Sequence, residues 1–374
     1  MNDLVRRIAR SRLLFPLVCL VLVLLLSVVV RAAKGQPLGS FFVIEMSPAN
    51  TLQGPLMEIL YWVPELLILT MGMTVVASCS AGADISVGSV MILSGAVGVR
   101  VLGWTTDWNA THYHVLEYGV PLLVALLVYV VVGSICGVWN GFLVAKLHVQ
   151  PMVATLILFI GARAGAKVIG MGQILTVDQE NFRWAGNYIT DGAGNVICPV
   201  PTGIFIAIAV VIVTALVLRF TALGTNIQAV GINARASRIV GLKSSRIIWM
   251  AFVFCGVCAG IAGIIATSRM NSVDSAQTAK LIELDAILAV ALGGNSLAGG
   301  KFSLAGSVIG ALTIQSLKTV LMSMGISVDQ MPLYQAIVVV VIVVLQSPEL
   351  RPMLQRWLSR LRGPVAVKVA GVKP

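Results

Sequence analysis

Apolar residues in this chain come in unbroken blocks of roughly 16 to 25, separated by short polar stretches. They show neither the alternation of a half-buried strand nor the one-sided stripe of a surface helix. About 20 apolar residues cross a bilayer as a helix. Ten such blocks are present, at roughly 13–30, 59–78, 86–103, 120–144, 151–170, 201–218, 247–268, 283–299, 304–324 and 332–347. The first follows Arg6, Arg7, Arg10 and Arg12. It is of span length, longer than a signal-peptide core, and more spans follow, so it reads as an uncleaved first helix.

Composition agrees along the whole length. Of 374 residues, 58% are hydrophobic and 11% charged, with a mean hydropathy of +0.95. Soluble domains run to about 45–50% apolar and about 25% charged. The net charge of +11 does not point to nucleic acid, because the basic residues flank the spans and no basic, aromatic-bearing surface segment holds them. Lys and Arg concentrate on the cytoplasmic side of membrane proteins. With the amino terminus inside, 17 of the 26 fall on that side and 6 outside (Arg31, Lys34, Arg183, Arg269, Lys280 and Lys318), while Arg100, Arg163 and Lys167 lie within spans. The fold class is therefore all-α: a polytopic membrane helix bundle of about ten transmembrane helices with both termini cytoplasmic. A basic N-terminus (1–12) and a basic C-terminal tail (348–374) flank a transmembrane domain over 13–347.

The expected external loops hold acids and interfacial aromatics, Trp104 to Tyr118 in one and Asp178 to Asp191 in another. His112 and His114 have no further ligand in their loop, and Asn109-Ala110-Thr111 fits a glycosylation sequon without meaning in a bacterial protein. Cys255 and Cys258 are spaced as a CxxC with no third or fourth ligand nearby, so packing is expected of them and no metal site is assigned. Gly133/Gly137/Gly141, Gly256/Gly260 and Gly306/Gly310 repeat at four-residue spacing, which lets helix backbones approach closely.

The cytoplasmic connection between the sixth and seventh spans is longer than a hairpin needs. Within it, Asn233 can cap a short helix holding Arg235, Ala236 and Arg238, and Gly241 can end it. A short helix along the membrane with basic and apolar faces suits docking into a partner, and it suits equally an interfacial anchor. The pattern Gly231-x-Asn233-x-x-Ala236-x-x-x-x-Gly241 resembles the coupling-helix loop of sugar-type ABC importer permeases, the group of ribose and galactofuranose permeases. Four further segments agree in order: Gly72-Met73-Thr74 with Asp84-Ile85-Ser86-Val87-Gly88, Trp139-Asn140-Gly141, Gln150-Pro151 through Leu156, and Glu283-Leu284-Asp285-Ala286-Ile287 with Gly293 to Gly300. Ala81-Gly82-Ala83 departs from the family's usual Gly-Gly-Ile. The resemblance covers about 55–347 and is closest to the galactofuranose type.

The resemblance implies a permease subunit in the bacterial inner membrane, importing a small sugar such as a pentose, a hexose or galactofuranose. Gly231, Asn233, Arg235, Ala236, Arg238 and Gly241 would fit a groove on a separate ATP-binding subunit. A periplasmic sugar-binding protein and a second permease, identical or paralogous, complete the expected set. ATP and Mg would reside on the partner and no cofactor on this chain. The sequence agrees with that division: the nearest approach to a Walker A motif, Asn295-x4-Gly300-Lys301-Phe302, lacks the first glycine and the hydroxyl. A nucleoside or autoinducer sugar is the alternative solute. An ion-coupled carrier is the alternative class and would need a midplane carboxylate relay, for which Glu65 alone is a poor candidate.

Ionisable groups within spans are costly and usually line a cavity. Glu65 and Arg163 both fall in the outer half of their spans and are expected to pair or to line an external vestibule. Lys167 shares a face with Arg163 and can snorkel outward. Asn140, Thr155 and Gln315 either hydrogen-bond a sugar hydroxyl or join helices. Asp84, with Ser86, reads as the cap of a tight cytoplasmic turn or as a solute contact. Glu283 and Asp285 form an external acidic pair that suits a helix N-terminus and could also meet the binding protein.

Overall fold

The computed structural model describes residues 13–35, 37–47, 50–102, 122–177, 180–191 and 195–346. The expected termini 1–12 and 348–374, and the loop with Asn109, His112 and His114, lie outside them.

Among the described residues, seven helices are long and apolar enough to cross a membrane: α1 (Leu14–Ala33), α2 (Pro55–Ser80), α4 (Leu122–Ala145), α5 (Pro151–Ile169), α6 (Thr202–Phe220), α9 (Ser244–Met270) and α11 (Leu304–Ser323). The chain is thus an all-α membrane bundle. The remaining expected spans are shorter helices: α3 (Val87–Leu102), α10 (Ile282–Leu292) and α12 (Met331–Gln346). Two more helices, α7 (Leu223–Ile232) and α8 (Ala234–Ile239), fill the long connection between α6 and α9. The expected block at 283–299 fails as a span. Its 11 helical residues rise about 16 Å, roughly half the hydrocarbon thickness. Gly294, Gly299 and Gly300 then adopt positive φ (+75°, +91°, +100°), which ends the helix in a turn that an apolar count does not see.

Residues up to Val320 form one compact unit and those from Leu321 a second. Within the first, α2 is the axis and is buried along almost its entire length from Val63 to Cys79. Proline starts both α2 and α5 at the first helical position, where no N–H is missed. Helix α2 packs on α9, α6, α10 and α7, while α3 and α4 close around α9. The closest approach joins α4 to α9. A Cβ on Gly133 would come 2.9 Å from Gly260 N, and one on Gly137 would come 2.5 Å from Phe252 O. The two glycine rows therefore interlock with one another. Gly72 of α2 meets Cys255 and Cys258 in the same way, and all six cysteines are free. Gly306 and Gly310 of α11 lie against Gly293 and Ala289.

One end of this unit is closed by two short antiparallel strands, β3 (Leu175–Thr176) and β4 (Ser272–Val273), paired Leu175↔Val273; β1 (Glu45–Met46) pairs with β2 (Leu52–Gln53) separately. A 3₁₀ turn over Glu180–Ala185 covers the end of α9, where Ser268 Oγ donates to Phe182 O (2.6 Å) and accepts from Gly186 N (2.9 Å). Tyr129 and Phe182 stack beneath it among buried apolar side chains. The opposite end carries α7 and α8.

Replacing Gly256 with leucine should lower the unfolding temperature of the purified protein in detergent, an overpacking cost of about 1–3 kcal/mol. Gly161→Ala, where an added Cβ meets nothing within 4 Å, should leave it unchanged or slightly raised. Equal behaviour of the two variants would refute the close approach of α4 and α9.

Candidate translocation site

After Ser80 the chain does not leave the bundle. Residues 81–86 fold back along α2, and the Asp84 backbone N–H reaches Met73 Sδ at 3.3 Å. Met73 is seven residues before the helix end, about 10 Å along the axis. Helix α3 therefore starts inside the bundle, and the sequence expectation of a tight turn at the cytoplasmic surface is corrected to a re-entrant one. Four side chains singled out from sequence meet there. Asp84 Oδ1 accepts from the Ser86 N–H (2.9 Å) and hydroxyl (2.6 Å), and Asn140 Nδ2 of α4 donates to Ser86 Oγ (2.9 Å). Thr155 of α5 accepts from Ile85 N (3.2 Å). Because the Ser86 proton goes to Asp84, its oxygen must accept from Asn140, which leaves Asn140 Oδ1 buried without a partner among the described residues.

A second re-entry comes from the β3–β4 end. Asp274 holds a turn by accepting from Ala276 N (2.7 Å), while its N–H bonds Thr278 Oγ1 (2.9 Å). Ala279 and Leu281 then take left-handed φ of +55° and +63°, unusual for side chains of their size, and α10 begins. The two acids of its first turn are buried: Glu283 is 2% exposed and Asp285 3%. The expectation of an external acidic pair is thereby corrected, because α10 starts inside the bundle. Glu283 Oε2 lies against Gly88, where any Cβ would collide with it, and has no hydrogen-bond partner among the described residues. The amino-terminal ends of α3 and α10 thus meet in the interior.

Charges pair differently from the sequence expectation. Glu65 does not meet Arg163; it accepts from Arg269 Nη1 at 2.8 Å, and both side chains are buried. Arg269 is flanked by the rings of Tyr61 (4.6 Å) and Trp62 (4.8 Å). Sequence reasoning placed Arg269 in an external loop, but α9 runs on to Met270 and holds it inside. Arg163 donates weakly to Ala276 O (3.4 Å) and lies over Phe159 (5.4 Å). Lys318 of α11, also expected outside, forms an ion pair with Asp285. Gln315 is buried in α11, one turn from Lys318. Among the described residues no group of three His, Cys, Asp or Glu could hold a metal.

Sequence reasoning missed a hydroxyl row on α2. Thr70, Thr74 and Ser78 each bond the carbonyl one turn back at 2.6 Å. Thr74 also meets Ser307 Oγ (2.6 Å), which accepts from Asn295 Nδ2 (2.7 Å). The four-residue spacing was the available signal. The same face leads to the α8 end, where Gly300 N donates to Ser78 O (2.9 Å). Gly231 sits on this contact, and an added Cβ there would come 2.7 Å from Gly300 N.

Beyond it, Asn233 Oδ1 caps α8 by accepting from Arg235 N (3.0 Å) and Ala236 N (2.9 Å). Gly241 (φ +90°) ends that segment, and Ser244 Oγ ties it to α9 through Ala234 O (3.0 Å). Arg235, Ala236 and Arg238 are exposed, and Ile239 and Val240 stand out at 87% and 76% exposure.

Breaking a buried ion pair strands a charge and costs about 3–5 kcal/mol, whereas removing both partners costs far less. Glu65→Gln and Arg269→Gln should each destabilise the protein strongly, and the double variant less than their sum, measured by thermal unfolding in detergent. Additive losses would refute the pair.

Residues 56–346 match the family described as "Branched-chain amino acid transport system / permease component". The fructose import permease protein FruF of Bifidobacterium longum is 34% identical over 93% of this chain and 91% of its own length. The galactofuranose transporter permease protein YtfT of Escherichia coli is 36% identical over 83% of each, and the ribose import permease protein RbsC of the same species 34% over 75% and 81%. The galactofuranose type is not singled out, since the fructose permease matches more of the chain at similar identity. No solved structure matches.

Proposed function

From the premise that this chain belongs to the family of permease components of branched-chain amino acid type transport systems, we propose that it imports a small sugar. The chain is a multi-pass inner-membrane permease subunit of a sugar-import ABC transporter and couples to a separate ATPase. It carries no ATP-binding motif of its own.

The observation that carries the coupling is α8. Its six residues are too few for a stable isolated helix, yet it is capped at Asn233 and tied to α9. Its last residue, Ile239, and Val240 just after it are exposed. Exposed apolar side chains on a fixed, basic mount fit a groove on the ATP-binding subunit, which supplies ATP and Mg. Gly231, against Ser78 and Gly300, carries its movement to α2 and to the turn ending α10.

The solute path runs where the two re-entrant segments meet, between Asp84–Gly88 and Glu283. Helices interrupted near the membrane midplane in two corresponding places mark the substrate site of many transporters. Asn140, Thr155, Arg163 and Gln315 flank that path, and the buried acceptors Asn140 Oδ1 and Glu283 Oε2 suit sugar hydroxyls. Glu65, which an ion-coupled carrier would have used, is held by Arg269. On our reading the re-entrant stretch 274–281 and the short helix α10 together make one of ten passes, so that both termini and α8 lie in the cytoplasm. A periplasmic binding protein delivers the sugar, and a second permease copy or paralogue completes the pore. Fructose, galactofuranose and ribose, the solutes of the three relatives, head the list.

Proteoliposomes containing the chain, its ATP-binding subunit and its binding protein should take up labelled sugar only with ATP, and an uncoupler should have no effect. Uptake that survives ATP depletion and collapses with the uncoupler would overturn the reading. Ile239→Asp should weaken association with the ATP-binding subunit about tenfold or more while the melting temperature stays unchanged.

A further inference from the structure

Between the end of α4 and the start of α9, a cavity of about 670 Å³ opens at the α8 end of the bundle. Four cations line it: Lys146, Arg238, Lys243 and Arg246, with Phe142 and Trp249 as its aromatic wall. No acid lines the cavity among the described residues, and neither 145–150 nor 219–246 contains a single Asp or Glu. The amino-terminal turn of α9 points its own positive end at the same space. It has no acidic residue and no side-chain cap. Arg238 is held in place by Ser245 Oγ (3.3 Å), and His148 lies 3.5 Å from it. A recess lined by charges of one sign and walled by apolar side chains focuses their field and concentrates anions within it.

The surroundings say what kind of anion. Above the cavity, α4 shows an unbroken apolar stripe to the outside: Val131, Ile135, Val138 and Phe142 are 43%, 62%, 40% and 45% exposed. Their spacing of four, three and four residues keeps them on one helix face. Phe142 belongs to both the stripe and the cavity wall. A ligand that fills both must carry negative charge at one end and a hydrocarbon chain at the other. Trp249 has the position of an interfacial tryptophan between head group and acyl region. Ile239 and Val240, the tip assigned to the ATP-binding subunit, are not part of the wall.

We propose that this basic cavity binds the phosphodiester head group of an anionic phospholipid, such as phosphatidylglycerol, with an acyl chain lying along the α4 stripe. Basic recesses between spans recognise such head groups. The lipid would bridge α4 to the loop that bears α8, so the leaflet's anionic content would set how firmly that loop is held. The inference needs only a bilayer and does not depend on the identity of the solute.

The test is fluorescence quenching of Trp249 by brominated lipid, with Trp249→Phe subtracted to remove the other six tryptophans. In bilayers holding equal fractions, brominated phosphatidylglycerol should quench Trp249 more than brominated phosphatidylcholine. Lys146→Gln/Arg246→Gln should reduce that preference on the order of tenfold, and Lys146→Arg/Arg246→Lys, which keeps both charges, should retain it. The preference should also persist in the transporter assembled with its ATP-binding subunit. Equal quenching by the two lipids would overturn the proposal, as would a preference untouched by removing the two charges. Suppression by millimolar inorganic phosphate would give the site to a soluble anion. Loss of the preference on assembly would give the cavity to the partner subunit or to a second permease covering the stripe.

Discussion

Inside a bilayer no water is available to a backbone N–H or C=O, so any stretch that is not helical must find its partners within the protein. This chain breaks its helices twice within the bundle and once more in the turn after α10, and its buried polar side chains are arranged around those breaks. At the first, Ser86 N goes to Asp84, Ile85 N to Thr155 and Asp84 N to Met73. After α10, Asn295 brackets Ser303 by accepting from its N–H (2.6 Å) and donating to its carbonyl (3.2 Å), while Gly300 N goes to Ser78 O. Asp84, Thr155 and Asn295 therefore hold irregular backbone open inside the membrane. Among the described residues, Asn140 Oδ1 and Glu283 Oε2 are buried acceptors left without a partner beside these breaks.

The same constraint explains what the sequence could and could not tell. Long apolar runs are unambiguous, and α1, α2, α4, α5, α6, α9 and α11 lie within a few residues of where hydropathy places them. The interrupted segments are not, because Leu297 and Ala298 are as apolar in a turn as in a helix. The paired glycines 293–294 and 299–300 were the overlooked sign. Charge placement failed for a different reason. Rise along a helix gives depth but not azimuth, so Glu65 and Arg163 could be set at one level without facing each other. Arg269 was overlooked because α9 extends past the end of its apolar run. Asn233 and Gly241, by contrast, act through local backbone geometry, and local geometry is what a short motif encodes.

Rigid and movable parts are separated by side-chain size. Where α4 crosses α9, glycines bring backbone against backbone, and such contacts slide little without clashing. At Gly231 the contact is equally close, but it joins three segments that end there: α7, α2 and the 293–303 turn. A displacement of α8 meets little side-chain cushioning before it reaches Ser78 and Gly300. The hydroxyl row of α2 then leads from Ser78 through Thr74 and Thr70 toward Glu65.

The ion pairs Glu65–Arg269 and Asp285–Lys318 each join two helices and sum to zero. A lone charge carried across the membrane field exchanges about 2.3 kcal/mol per 100 mV with the transmembrane voltage. Helices that move with their pairs intact displace no net charge at these positions. Such a movement is electrically silent at both pairs. The membrane voltage therefore neither drives nor brakes a displacement that keeps both pairs intact.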